Sequence, residues 1–277
     1  MSLDLPLHTL PPAFAEACAA DVARLDAALG PERSTALDTL FTAHPARRAE
    51  LARLLCISRF ALREFERHPE LLADLLQSGD LVRDYDEGEY LARSHVALAG
   101  ATAEEPVMRA LRTFRRREML RIVWREQCAL AGFVTTTADL SALAGACIEV
   151  ALETAHAEFA QRHGEPVGET SGTPQRMVVI GMGKLGAREL NLSSDVDLIF
   201  AYPEQGETSG ERSISNREFF VRVGQRLIKS LDAVTRDGFV FRVDMRLRPW
   251  GDSGALRSEE HTSELQSPCN LVCRLLL

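Results

Sequence analysis

Apolar positions recur every three or four residues through most of the first 163 residues, which predicts a series of amphipathic helices. Residues Ala46–Arg67 keep this spacing without a glycine and are predicted to form one helix that ends at His68-Pro69. Longer helices are predicted over 104–131 and 136–164, the first with Pro106 in its first turn, where the missing N–H costs nothing. We therefore expect a helical region over residues 1–163.

The pattern changes after residues 164–175, a segment rich in glycine, proline, serine and threonine that is predicted to be a linker. Beyond it, short apolar runs typical of strands occupy 176–180, 195–202 and 239–245. Between the last two, Ser215 followed by Glu218 is a capping box that begins another helix. The sequence therefore predicts an α+β fold, in which the helical region precedes a domain over residues 176–256 with a small mixed sheet.

The final segment, residues 257–277, resembles the translation of a sequencing-library adapter and is predicted to be a non-native tail. On this interpretation Cys269 and Cys273 carry no metal site, and the native sequence stops at Leu256, which leaves the second domain incomplete. A single Cys-x₃-Cys pair is a weak zinc signal in any case.

The composition is typical of a globular protein, with 45% hydrophobic and 26% charged residues in a chain of 277. A formal net charge of −8 argues against a nucleic-acid partner. We find neither an apolar run as long as a membrane span nor a secretion signal, so we expect no membrane partner and a cytoplasmic location. The arginine-rich stretch from Arg109 to Arg125 contains Glu118, which favours a solvated helix face or internal ion pairs.

A glycine loop, Gly181–Gly186, follows the first predicted strand and matches G-x-G-x-x-G. One interpretation is a dinucleotide-binding turn of an oxidoreductase, with Glu204 near the position of a ribose-binding acid. Only Ala187–Ser194 separates this loop from the next strand, whereas a parallel crossover needs about a dozen residues or more. The short connector favours a different kind of phosphate site.

Three aspartates form the most informative pattern. Asp195 and Asp197 are two residues apart at the start of a strand, so both side chains point to one face. Two such carboxylates repel each other unless a cation lies between them, and Mg²⁺ suits them because it leaves positions open for phosphates. Asp244, in the last predicted strand, completes a candidate catalytic and two-metal arrangement. A solvated pair on an exposed edge is the alternative, which the apolar residues after Asp197 disfavour.

Several residues near the aspartates are candidates for binding a nucleotide or phosphate. Gly183 would offer a backbone N–H, and Lys184 an ammonium group. Arg246 and Arg248 follow Asp244 at alternate positions and could each bind phosphate oxygens through two hydrogen bonds. Ser194 lies directly before the aspartate pair and is a further candidate for binding the nucleotide or phosphate.

The spacing of glycine loop, Asp-x-Asp and distant strand Asp resembles the DNA polymerase beta-like nucleotidyltransferase superfamily, although Lys184 replaces the serine usual after the loop glycine. The strings GMGKLGARELNLSSDVDLIF, DGFVFRVDMRLRPWGDSG and LRTFRRREMLRIVWRE resemble the family of bifunctional glutamine synthetase adenylyltransferase/adenylyl-removing enzymes more closely. That resemblance implies two nucleotidyltransferase halves, Mg²⁺ as cofactor, and glutamine synthetase and a nitrogen-regulatory PII protein as partners. It also implies ATP, ADP and phosphate as small-molecule reactants.

Arg188-Glu-Leu-Asn191 resembles the N-terminal, AMP-removing copy. The resemblance therefore implies phosphorolysis of the adenylylated tyrosine of glutamine synthetase, giving ADP and unmodified enzyme. On this reading Asp195, Asp197 and Asp244 hold magnesium, and Lys184, Arg246 or Arg248 orients the attacking phosphate. Two alternatives stay open, the ATP-using adenylylating half and an inactive fragment that serves only as a binding module.

Overall fold

A computed structural model of the chain describes residues 3–244 and the backbone of residues 270–271. Its helices are α1 (Pro12–Ala43), α2 (Pro45–Ile57), α3 (Arg59–Arg67), α4 (Glu70–Gln77), α5 (Glu89–Ala97), α6 (Glu104–Gln127), α7 (Phe133–His163), the single turn α8 (Gly183–Gly186) and α9 (Asn216–Asp232). Its strands are β1 (Pro166–Gly168), β2 (Val178–Met182), β3 (Val196–Tyr202), β4 (Gly206–Thr208), β5 (Val243–Asp244) and β6 (Asn270–Leu271). The predicted α+β class is confirmed.

The chain divides into two compact units by its internal contacts, and the domain bounds predicted from the sequence stay a prediction. The first, called the helical unit, comprises Met1–Glu87 and Arg116–Asp139, and the second, called the sheet unit, comprises Gly88–Arg115 and Leu140–Leu277. Both α6 and α7 therefore contribute residues to both units. The segment predicted as a linker contains β1, which pairs with β4 in a two-stranded antiparallel sheet.

The core of the helical unit is built from leucines of α1 to α4 and from aromatic residues. Phe65 and Trp124 are fully buried and meet edge to face, with ring centroids 6.2 Å apart. The indole N–H of Trp124 donates to Glu50 over 3.0 Å, so this large side chain is buried without an unsatisfied donor.

The single helix predicted over Ala46–Arg67 is wrong, because Ser58 divides it into α2 and α3. Ser58 adopts an extended backbone conformation, and its hydroxyl accepts a hydrogen bond from the amide of Ala61. A serine that caps the following helix in this way satisfies one of the N–H groups that a helix start leaves unpaired. The apolar periodicity on both sides concealed the break.

The arginines of α6 in the helical unit form internal ion pairs, one of the two possibilities that the sequence left open. Arg121 is fully buried and lies 3.1 Å from Asp139, which Arg125 also approaches at 3.4 Å. Arg116 pairs with Glu64 at 2.9 Å, and Arg117 pairs with Asp74, also at 2.9 Å. Because these arginines are buried and paired with carboxylates, they do not form a basic surface.

In the sheet unit, β3 lies in the middle of the main sheet. It pairs with β2 in antiparallel and with β5 in parallel orientation, and its C-terminal end pairs with β6 in antiparallel orientation. The sheet is therefore mixed, as predicted. Alternate residues of β3, beginning at Val196, are at most 1% exposed, and Tyr202 stacks on Phe220 of α9 with centroids 4.8 Å apart. This side of the sheet forms its buried face.

Helix α9 supplies an apolar face to the core of the sheet unit, in which Phe219, Val223 and Leu227 are completely buried. Its predicted start is confirmed, because the Ser215 hydroxyl accepts a hydrogen bond from the amide of Glu218.

Helix α7 is long and apolar enough to cross a membrane by length and composition, contrary to the expectation that no apolar run reaches the length of a membrane span. In the structure 56% of its most apolar window is buried inside the protein, as is usual for a core helix.

Candidate functional site

The opposite face of the main sheet, which we call the open face, carries the predicted aspartates. Asp197 and Asp244 are direct neighbours in the parallel pairing of β3 and β5. On the antiparallel side, Asp197 lies opposite Met182, and the β2 side chains Val178, Ile180 and Met182 are 49%, 44% and 36% exposed. Because register partners point to the same side of a sheet, these carboxylates and apolar side chains share one accessible surface.

Asp195 lies one residue before β3 and pairs with Arg242, one residue before β5. The distance from Arg242 Nε to Asp195 Oδ1 is 2.6 Å, and the two side chains are 58% and 45% exposed. The backbone continues the parallel pairing here, since the Val196 amide donates to the Arg242 carbonyl over 2.9 Å. Arg242 also donates from Nη2 to the carbonyl of Ser193 over 2.9 Å. Asp195 is thus brought to the open face, where it contacts a guanidinium.

The described part of the chain contains no group of three or more His, Cys, Asp or Glu side chains arranged to hold one metal ion. Asp197 and Asp244 are adjacent in register, whereas the Asp195 carboxylate is engaged by Arg242. The structure therefore places the three aspartates on one face without assembling them around a common point. A metal centre formed by all three stays a prediction.

The glycine loop approaches the Asp197 side chain at Gly183. This residue has a φ of +53°, and a β-carbon there would lie 2.7 Å from Asp197 Oδ2. A β-carbon at Gly186 would lie 2.5 Å from the Gly181 carbonyl oxygen. A side chain at Gly186 would therefore collide with backbone, whereas one at Gly183 would displace the Asp197 carboxylate and would adopt a left-handed conformation that favours glycine.

The pairing around this loop excludes the dinucleotide-binding interpretation. A dinucleotide-binding turn joins two parallel strands through a full crossover helix. Here β2 and β3 are antiparallel, and α8 between them is a single turn. The glycine loop is the connection of an antiparallel pair, as the short connector indicated.

Two of the other predicted phosphate contacts, Lys184 and Ser194, lie within the described residues. Lys184 is in α8, next to Gly183, and its side chain is exposed. Ser194 is half-buried, and its hydroxyl donates to Asn191 over 2.7 Å, which fixes the turn before Asp195. Arg246 and Arg248 lie outside the described residues.

Arg242 is the residue of this face that the sequence analysis missed. It precedes Asp244 by two positions in an extended segment, so the alternation that linked Asp244 to Arg246 also links it to Arg242. The signal was present upstream of the aspartate, but the parallel register that brings Arg242 to Asp195 was not visible in the sequence.

Comparison with known proteins gives one consistent family. The family model described as glutamate-ammonia ligase adenylyltransferase matches residues 48–262. Proteins named bifunctional glutamine synthetase adenylyltransferase/adenylyl-removing enzyme are 51% identical in Thioalkalivibrio sulfidiphilus, over 77% of this chain, and 48% identical in Pseudomonas aeruginosa, over 91% of it. These alignments cover 22% and 25% of the two relatives, so the chain spans about a quarter of their length. The chain belongs to the glutamate-ammonia ligase adenylyltransferase family.

Proposed function

We propose that this chain is the AMP-removing nucleotidyltransferase of a bifunctional enzyme that regulates glutamine synthetase in nitrogen assimilation. In this reaction an oxygen of inorganic phosphate forms a bond to the phosphorus of the AMP group on a tyrosine of glutamine synthetase. The bond between that phosphorus and the tyrosine oxygen breaks, giving ADP and a tyrosinate that takes a proton from solvent. The observation that carries the proposal is the juxtaposition of Asp197, Asp244 and the Gly183 backbone on the open face.

The donor set fits Mg²⁺, because carboxylate oxygens are its preferred protein ligands. The absence of a β-carbon at Gly183 keeps space beside Asp197 Oδ2 that any other residue would fill. Asp195, Asp197 and Asp244 would hold the ion, which when bound polarises the phosphoryl group and offsets the charge of the departing tyrosinate. Full use of Asp195 requires its carboxylate to leave Arg242.

The remaining roles fall to groups around the aspartates. The amide of Gly183 and the ammonium of Lys184 would orient the attacking phosphate, and Arg246 and Arg248 are further candidates for that role. Ser194 would position the nucleotide through the turn that it closes with Asn191. The apolar row of Val178, Ile180 and Met182 gives the nucleotide a surface beside the carboxylates.

The direction of the reaction rests on the resemblance of Arg188–Asn191 to the AMP-removing copy, and the protein substrate rests on the names of the relatives. The PII regulator and the location rest on the family resemblance and on the sequence alone. We therefore propose glutamine synthetase as the protein substrate, a PII protein as regulator, and the cytoplasm as location. Inorganic phosphate and ADP would be the reactant and product of this half, and ATP the substrate of the opposite half.

The test compares the 277-residue chain with a variant carrying Asp195→Asn and Asp197→Asn. Both are incubated with adenylylated glutamine synthetase, phosphate and Mg²⁺, and the ADP released is measured. We expect the rate of ADP release to fall at least a hundredfold in the double variant, because removing one well-placed electrostatic contact from an active site lowers kcat by a factor of about 10² to 10³. Glu211→Gln, a charge removal at an exposed loop residue of the same unit, is the matched control and should keep full activity.

Retention of phosphate-dependent ADP release by the double variant would contradict the proposal. A parallel incubation with ATP and unmodified glutamine synthetase tests the direction. If the chain transfers AMP to glutamine synthetase from ATP and releases none with phosphate, it is the adenylylating half. Binding of glutamine synthetase without either reaction identifies a binding module.

A further inference from the structure

Four side chains form a two-by-two block on the open face. Asp195 and Arg242 are neighbours across the β3–β5 pairing, and Asp197 and Asp244 are the next pair along the same two strands. Side chains two residues apart on a strand point the same way, so all four face one region. Three carboxylates and one guanidinium therefore share the surface to which the proposed function assigns the metal.

We propose that Arg242 is a positioning residue that competes with the metal for Asp195 and, once displaced, binds the anionic phosphate. This inference rests on the proposed function. Arg242 Nε lies 2.6 Å from Asp195 Oδ1, so a cation coordinated by the same oxygen would lie close to the positive guanidinium and be repelled by it. Arg242 and a divalent metal therefore compete for this oxygen.

The exposure of the pair makes the exchange feasible. Both side chains are about half exposed, at 58% and 45%, so water can solvate either charge when the pair separates. Exposed ion pairs of this kind shift an equilibrium by about fivefold or less. Arg242 therefore lowers the affinity for the metal by a small factor and does not block the site.

A displaced Arg242 stays beside the reacting groups. Its backbone is held next to β3 by the hydrogen bond from the Val196 amide to the Arg242 carbonyl, which does not involve the side chain. The guanidinium would lose its contacts with Asp195 and with the Ser193 carbonyl, which frees donors suited to two phosphate oxygens at once. Metal and phosphate would then support each other, because the metal releases the arginine that binds the anion.

The experiment measures Mn²⁺ binding to the nucleotide-free chain by electron paramagnetic resonance, for the wild type, Arg242→Gln and Arg242→Lys. We expect Arg242→Gln to bind Mn²⁺ about two- to fivefold more tightly, because the competing charge is gone. Arg242→Lys keeps the charge and should stay near the wild type. The matched control is Arg236→Gln, since the Arg236 side chain is 79% exposed in the same unit, and it should change nothing.

A second titration measures inorganic phosphate in the presence of saturating Mn²⁺. Here Arg242→Gln should bind phosphate about two- to fivefold more weakly, the opposite direction to its effect on the metal. A residue that only stabilised the local fold would weaken both. Unchanged or weaker Mn²⁺ binding by a folded Arg242→Gln variant would therefore overturn the inference.

If Arg242→Gln does not fold, the wild type still decides the question. The Nε–H resonance of Arg242 is assigned as the signal missing from the Arg242→Lys spectrum, and Mg²⁺ is then added. We expect the signal to move as the ion pair with Asp195 separates, and a signal unchanged at saturating Mg²⁺ would contradict the exchange. Failure of the proposed function appears separately, as ADP release retained by the double aspartate variant or as no Mn²⁺ binding to the wild type.

Discussion

Arginine–carboxylate pairs occur in both units of the molecule, but burial gives them different consequences. In the helical unit, Arg121 and Arg125 of α6 are 0% and 3% exposed and share Asp139, which is 12% exposed. In the sheet unit, Arg242 and Asp195 form an equally direct contact with roughly half of each side chain in water. The same chemical pair is thus a fixed part of the core in one unit and an exchangeable contact in the other.

The difference follows from the free energy of hydration. A buried charge that loses its partner cannot regain water, so separation of the pair is very unfavourable. An exposed charge is hydrated again as soon as its partner leaves. A region that must change partners during a reaction therefore needs exposed pairs, whereas a scaffold is best held by buried ones.

The largest effect is expected for Asp139→Ala in the helical unit. It removes the carboxylate beside the fully buried Arg121, whereas Arg125 keeps its contact with Asp84, so we expect a loss of about 3 kcal/mol or more in the free energy of unfolding. Urea denaturation followed by circular dichroism measures this loss. Glu105→Ala is the control, since it breaks the exposed pair with Arg109 on the same helix and should cost less than about 1 kcal/mol. Similar losses for both variants would remove the distinction between buried and exposed pairs.

A smaller, pH-dependent effect is expected at His156, the buried member of an ion pair whose other member is exposed. The imidazole is 5% exposed and lies 2.9 Å from Glu165, which is 42% exposed. Burial lowers the pKa of His156 below its ordinary value of 6.5 and outweighs the opposite effect of Glu165. Below that pH the unfolded chain binds a proton that the folded chain does not, so the free energy of unfolding falls as the pH decreases.

Urea denaturation above and below pH 6.5 measures this contribution, with His156→Gln as the comparison. The wild type should lose more stability across this interval than the variant, which has no titrating group at this position. An equal loss in both would show that the carboxylate of Glu165 compensates fully for the burial of the ring.

The smallest effect is expected for the stability of Arg242→Gln. Both partners of the pair are well exposed, so the free energy of unfolding should change by about 1 kcal/mol or less. The same urea series measures it. A loss as large as that of Asp139→Ala would show that Arg242 stabilises the fold as strongly as the buried arginines that pair with Asp139.

Features set by nearby residues could be predicted from the sequence. Ser215 and Glu218 are close enough to define the start of α9, and the short connector before Asp195 already disfavoured a crossover helix. The common face of Asp195 and Asp197 could be predicted because strand alternation depends only on a spacing of two residues.

Features that join distant parts of the chain could not be predicted in the same way. Arg242 contacts the Ser193 carbonyl across 49 residues, and Trp124 donates to Glu50 across 74. The register of β5 against β3 decides the first contact, and no local pattern encodes the register of a parallel pair. Ser58 was missed for another reason, because its role as a cap was outweighed by the apolar spacing around it.

The position of β3 between its two neighbours also sets an order for folding. The pairing with β2 closes a short stretch of chain, whereas the pairing with β5 closes a much longer one and carries a larger entropic cost. During synthesis the antiparallel pair can therefore form while the other edge of β3 still has unpaired backbone groups, a state in which strands are prone to associate with other chains. Asp197 acquires its neighbour Asp244 only when that edge closes, so the open face is completed in the same step that pairs the exposed edge of β3.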